Sequence, residues 1–103
     1  MIMINTRKLV VEVGVRLWDK RWRVREGFEI EVENEKSPER AWPAIACYDP
    51  VEEYGFGDTE AEAVEDLLSS MVEYCQSLEE RESKLGKQGR EHLRILRELF
   101  EHE

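Results

Sequence analysis

At Gly57 the spacing of apolar residues changes, and no single element of regular structure can straddle that change. Upstream, apolar side chains alternate with polar ones, the period of a strand with one buried face; downstream they recur every three or four residues, the period of an amphipathic helix. The switch falls within Gly57-Asp58-Thr59-Glu60-Ala61-Glu62-Ala63. Thr59, with Glu62 three residues on, reads as a capping box, in which a hydroxyl and a carboxylate each satisfy an orphan backbone N–H at a helix start. Asp58 and Glu60 suit the positive end of the helix dipole. Ala63, Val64, Leu67, Leu68, Met71, Val72, Cys75 and Leu78 then mark one broad stripe of a helix running to about Glu80. A chain divided in this way is α+β: an antiparallel β-meander of three to four strands followed by two α-helices.

The strands before the switch follow from parity. Leu9, Val11, Val13, Val15 and Leu17 share one face of a strand over residues 9–18, with Glu12, Gly14 and Arg16 opposite. Asp19-Lys20 makes a tight turn. Trp22, Val24, Phe28, Ile30 and Val32 then share one parity and Arg23, Arg25, Glu29, Glu31 and Glu33 the other, so a second strand follows, bulged at Glu26-Gly27. Polar residues 34–40 close a hairpin, and residues 42–48 are apolar enough for a strand buried on much of both faces. Pro43, which lacks an N–H, belongs at that strand's start or on an edge. A brief fourth strand is expected at Tyr54-Gly55-Phe56. Beyond the long helix, Gly86 and Gly89 interrupt the pattern before a second amphipathic helix over residues 85–100, with His92, Leu93, Ile95, Leu96, Leu99 and Phe100 on its apolar side.

One domain is expected from 103 residues, a length able to bury a core without disulfides or metal. Cys47 and Cys75 sit in apolar contexts with no C-x-x-C and no adjacent histidine, and so read as reduced core thiols rather than zinc or redox ligands. Residues 1–4 are too short for a signal peptide and no run approaches the about 18 apolar residues of a membrane span, which makes a cytoplasmic protein without membrane contact the expectation. The net charge of -9 is unevenly spread. Residues 1–25 carry seven basic and two acidic side chains, the remainder eight basic and 22 acidic. Most of the chain would therefore repel nucleic acid and attract a cationic partner.

Catalytic patterns are sparse. Ser37, Ser69, Ser70, Ser77 and Ser83 lack a glycine elbow, and His92 and His102 lie near the C-terminus, the first on a helix face and the second at a terminal position. Glu62, Glu65, Asp66 and Glu73 fit a solvated helix face better than a metal or acid–base cluster. Gly55-x-Gly57 lacks the third glycine and the parallel βαβ setting of a dinucleotide site. No catalytic residue, metal or cofactor is assigned. The one constellation suited to phosphate is a basic aromatic hairpin: Arg16, Lys20, Arg21, Arg23 and Arg25 could track a backbone while Trp18 and Trp22 stack on bases. Alternation opposes this by turning Trp22 toward the core.

The phrase Gly57-Asp58-Thr59-Glu60-Ala61-Glu62-Ala63 resembles the G-D-T-x-x-E-A signature of HicB-like antitoxin domains. Residues 64–68 are similar to the helix that follows it in that family, and the strands before it resemble the family's meander. The resemblance covers about residues 28–80; residues 1–27 stand as an N-terminal strand extension and 81–103 as a C-terminal amphipathic helix. It implies a partial RNase H-like fold and a non-enzymatic protein that masks a small basic ribonuclease toxin of the HicA type; an exposed strand edge or the terminal helix is expected to make it a homodimer. Gly57, Asp58, Thr59, Glu62 and Ala63 would then be structural. The chain departs from the family at residues 49–53, where a proline–glycine turn is usual, and shows no ribbon-helix-helix or helix-turn-helix pattern, which puts direct repression by DNA binding in doubt. Two alternatives follow from the residues: a nucleic-acid-binding protein using the hairpin over 16–25, and a metal-dependent nuclease retaining acids of an RNase H-like site.

Overall fold

The computed structural model describes residues 5–17, 21–35 and 41–103. Asp19-Lys20, Trp18 and the tip of the loop over 36–40 lie outside the described residues. Two antiparallel sheets and two helices confirm the α+β class. The first sheet has the order β1-β4-β5-β6, from β1 (Asn5–Val11), β4 (Phe28–Asn34), β5 (Ala44–Tyr48) and β6 (Glu53–Gly57). The second has the order β2-β3-β7, from β2 (Arg16–Leu17), β3 (Trp22–Val24) and β7 (Phe100–His102). Helix α1 (Glu60–Glu80) packs across β6, β5 and β4, and α2 (Lys87–Leu99) packs against α1.

The expected single strand over 9–18 is two strands in two sheets. Gly14 takes φ +91°, a backbone conformation open to glycine at little steric cost, and its N–H bonds to the Val24 carbonyl at 2.9 Å. The kink leaves Val13 67% exposed and removes it from the apolar face to which its parity assigned it. The return path breaks at the same level. β3 and β4 are separated by residues 25–27, where Arg25 N–H donates to the Leu99 carbonyl at 2.7 Å. The bulge expected at Glu26-Gly27 is thus a change of sheet. The resulting arm extends the molecule to 49 × 29 × 21 Å with a radius of gyration of 14.5 Å, above the about 13 Å of a compact chain this long.

β5 begins one residue after Pro43, as the missing donor requires, and Trp42 lies before the strand and is 49% exposed rather than buried. β6 is longer than the expected three residues. It leads through Asp58 and Thr59 into α1, whose start matches the sequence reading: Glu62 N–H donates to Thr59 Oγ1 at 3.2 Å. The Glu62 carboxylate accepts from Asp58 N–H at 3.0 Å, one residue earlier than a reciprocal capping box would have it. Gly55 and Gly57 have a packing role. A Cβ on Gly55 would lie 2.2 Å from Leu67 N and 2.3 Å from the Ala63 carbonyl oxygen, so α1 rests its main chain directly on β6.

The buried stripe of α1, including Ala63, Leu67, Met71, Val72 and Cys75, closes over Ile30, Val32 and Ala46 of the sheet. Leu93, Leu96 and Leu99 of α2 join the same core. The second helix is shorter than expected at both ends: Leu85 is extended, Gly86 is the N-cap, and Phe100 enters β7. Phe100 is only 2% exposed, its ring 5.7 Å from that of Phe28. Its burial continues the helical spacing, while its backbone completes a sheet with β3.

Candidate partner-binding surface

The structure brings the basic hairpin together with the acidic C-terminal strand. Register places Arg16 opposite Arg23, a like-charge pair that is unfavourable alone. β7 and the residue after it supply the counter-charges: Arg16 Nε lies 2.6 Å from a Glu103 carboxylate oxygen, and Arg23 Nε lies 2.6 Å from one of Glu101. Trp22 is 2% exposed and its ring centroid is 3.8 Å from that of His102, so it faces inward instead of offering a stacking surface. Its Nε1 has no partner among the described residues. Arg21, at φ 56°, and Arg25 are exposed, while Trp18 and Lys20 lie outside the described residues. Of the hairpin residues described, Arg16 and Arg23 are paired, Trp22 is buried, and Arg21 and Arg25 are exposed.

Among the described residues, no helix covers the face of the first sheet opposite α1. Register sets Lys8 and Val10 of β1 beside Glu31 and Glu29 of β4, Cys47 and Ile45 of β5 beside Glu31 and Glu33, and Tyr54 and Phe56 of β6 beside Cys47 and Ile45. Val10 is 60%, Tyr54 52% and Phe56 42% exposed. This is a carboxylate row on β4 and an aromatic row on β6, with Ile45 and Cys47 of β5 between them. The charge is felt at the Cys47 thiol, whose pKa is raised by burial first and then by Asp49, Glu31 and Glu33. Lys8 Nζ approaches Glu29 at 3.5 Å at the outer edge.

A second concavity, an open groove of about 710 Å³, lies between the arm and the first half of α1. Val15 and Leu17 form its arm side, Phe56 and Leu68 its opposite side, and Glu62, Glu65 and Asp66 line it with carboxylates. Asp66 Oδ2 accepts from Phe56 N–H at 2.9 Å, blocking part of the outer edge of β6.

Two hydroxyl groups of α1 meet a carboxylate or an imidazole. Ser70 Oγ donates to Glu53 Oε2 at 2.5 Å, and His92, 7% exposed, shares a 2.7 Å hydrogen bond through Nδ1 with the Tyr74 hydroxyl. That bond stays inside the α1–α2 contact. Among the described residues there is no group of three or more histidine, cysteine or acidic side chains placed to hold a metal, and no helix long and apolar enough to cross a membrane.

The acid row was visible in the alternation of residues 28–33, and the aromatic row in the parity of Tyr54 and Phe56. The groove was not, because it joins residues 15–17 to residues 56–69 through a kink with no local signature beyond Gly14. None of the protein-family models, curated proteins or solved structures compared with this chain matches it.

Proposed function

We propose that this chain is a non-enzymatic binding protein that captures a small basic protein, in the manner of a HicB-like antitoxin masking a HicA-like toxin. The observation that carries the reading is the uncovered sheet face, where Glu29, Glu31 and Glu33 run beside Ile45, Cys47, Tyr54 and Phe56. Aromatic side chains left open to water are suited to anchor a protein interface, and a row of carboxylates steers a cationic partner and rejects an anionic one. Gly57, Asp58, Thr59, Glu62 and Ala63 act on this reading as the structural junction, and no cofactor is called for. Self-association is assigned to the outer edge of β1, since the apolar stripe of α2 is buried inside the protomer. The hairpin over 16–25 is the weaker nucleic-acid reading, because Glu101 and Glu103 occupy Arg23 and Arg16.

The direct test is co-expression with the short basic protein encoded beside this one, where such a reading frame exists. A complex that co-purifies, and that Glu31→Lys with Tyr54→Ala disrupts without lowering the melting temperature, is the expected result. Toxicity unrelieved by this chain together with no complex refutes the antitoxin role for that pair. Metal-dependent phosphodiesterase activity in the purified protein would refute the non-enzymatic reading.

A further inference from the structure

We infer that the groove between the arm and α1 is a second contact site on the same basic partner, and that it seats an extended segment in which lysine or arginine alternates with apolar residues. The inference rests on the proposed capture of a basic protein and adds where, and with what chemistry, a second part of it binds.

Three properties of the groove select such an occupant. With a volume of about 710 Å³ and an open mouth, it has room for several side chains laid along it and does not enclose them. Its walls are hydrocarbon on both sides: Leu17 and Leu68 are buried against the protein, whereas Val15 at 38% and Phe56 at 42% exposure leave apolar surface facing water. Covering those two rims would remove apolar area from water, which favours an occupant with apolar side chains or long aliphatic stems.

Charge then fixes the sign. Glu62, Glu65 and Asp66 lie within five residues of one helix and all line the groove. Glu62 and Asp66 each use one carboxylate oxygen to accept a backbone N–H. The basic residue of the lining, Arg16, has its guanidinium held by Glu103 at 2.6 Å, which cancels its field at short range. The N-terminal dipole of α1, which alone would favour an anion, is capped by Thr59 and offset by these carboxylates. A cationic segment satisfies both the acids and the apolar walls, whereas a second copy of this chain, with its net charge of -9, would bring like charge against like.

The test is an NMR titration of the isotopically labelled full chain with a synthetic peptide of alternating arginine and leucine, at low and at physiological salt. The same peptide with glutamate for arginine is the control. Expected are shifts at Val15, Glu65, Leu68 and Ser69, weakened by salt, and absent with the glutamate peptide. Glu65→Lys should lower the affinity about tenfold, while Glu31→Lys on the sheet face, which changes the net charge equally, should lower it much less. Glu65→Gln, with an intermediate loss, guards against a folding defect in the lysine variant. Shifts confined to Glu29, Glu31, Cys47 and Tyr54, with Glu65→Lys silent, overturn the groove site but leave the basic-partner reading standing. Equal binding of the glutamate peptide overturns the charge argument, and no binding to either surface at low salt overturns both readings.

Discussion

Replacing Gly55 by alanine tests the central packing claim, that α1 lies on β6 backbone to backbone. The added methyl carbon would sit 2.2 Å from Leu67 N, 2.3 Å from the Ala63 oxygen and 2.6 Å from Leu67 Cα, against an ordinary contact distance of 3.4 Å or more. All three are main-chain atoms, so no side chain can turn aside. The helix would have to lift from the sheet by more than an ångström, loosening Ala63, Leu67 and Met71, each of which is 0% exposed. Overpacking usually costs about 1–3 kcal/mol when side chains give way. With main chain on both sides the expected loss is about 3 kcal/mol or more, a large share of the about 5–15 kcal/mol that holds a domain together. Equilibrium urea unfolding followed by circular dichroism reads this as a midpoint lower by about 1–3 M at an ordinary urea slope. Two controls isolate the cause. Ala63→Gly should not rescue Gly55→Ala, because Ala63 contributes its carbonyl and not its methyl. Gly86→Ala, where nothing lies within 4 Å of the added carbon, should cost no more than about 1 kcal/mol, the exchange of a favoured N-cap residue for a poor one. A Gly55→Ala protein within about 0.5 kcal/mol of the parent would refute the reasoning.

Three further outcomes are expected. Thr59→Ala removes the acceptor for Glu62 N–H and should cost about 1 kcal/mol in the same unfolding assay, with an unchanged midpoint and slope counting against the cap. Cys75 is fully buried and burial pushes its thiol up to about 11, so at about pH 8 a thiol reagent should modify Cys47 in the folded protein and reach Cys75 only on unfolding. Equal rates for the two would place Cys75 at the surface. The Glu82 carboxyl is held below its ordinary value of 4.5, chiefly by a hydrogen bond from Arg97. A depressed folded value contributes stability above the unfolded pKa that is lost as pH falls through the folded one, so the midpoint gap between parent and Arg97→Ala should narrow from about pH 7 to about pH 3. A gap that widens on acidification would contradict the assignment.

What could be read from the sequence was what local chemistry determines. The α1 boundary rests on Thr59, Glu62 and the stripe from Ala63 to Leu78, all within the element itself, and it stands in the structure. At Glu26-Gly27 the local pattern marked the interruption but not its nature, which is a change of sheet. The errors fall where tertiary pairing overrides a pattern. Leu9, Val11, Val13, Val15 and Leu17 keep perfect alternation through the kink at Gly14, so parity gave no warning that the chain leaves one sheet for another. Phe100 fits the helical spacing of Leu96 and Leu99, yet pairing opposite Val24 makes it a strand residue. The candidate surface divides the same way: its carboxylate and aromatic rows were legible as strand parity, whereas the uncovered state of that face and the groove depend on where the helices and the arm come to rest.

The charge asymmetry of the sequence acquires a different meaning in three dimensions. Seven basic residues against two acidic in the first 25 suggested a cationic end able to meet phosphate. In the fold, Arg7 pairs with Glu60 at 2.6 Å, Lys8 with Glu29 at 3.5 Å, Arg16 with Glu103 at 2.6 Å and Arg23 with Glu101 at 2.6 Å. These pairs join exposed or half-buried groups, a setting in which ion pairs contribute little to stability. Their larger effect is on what the surface presents. Four of the seven basic side chains are thus met by acids from the more acidic part of the chain, and with a net charge of -9 the surplus left to act at a distance is negative. That surplus is what an approaching molecule senses beyond contact range, and it raises the encounter rate for cations while lowering it for nucleic acid. The C-terminal residues Glu101 and Glu103 thus take up Arg23 and Arg16 of the arm, and the carboxylates of the sheet face and the groove carry much of the remaining negative charge.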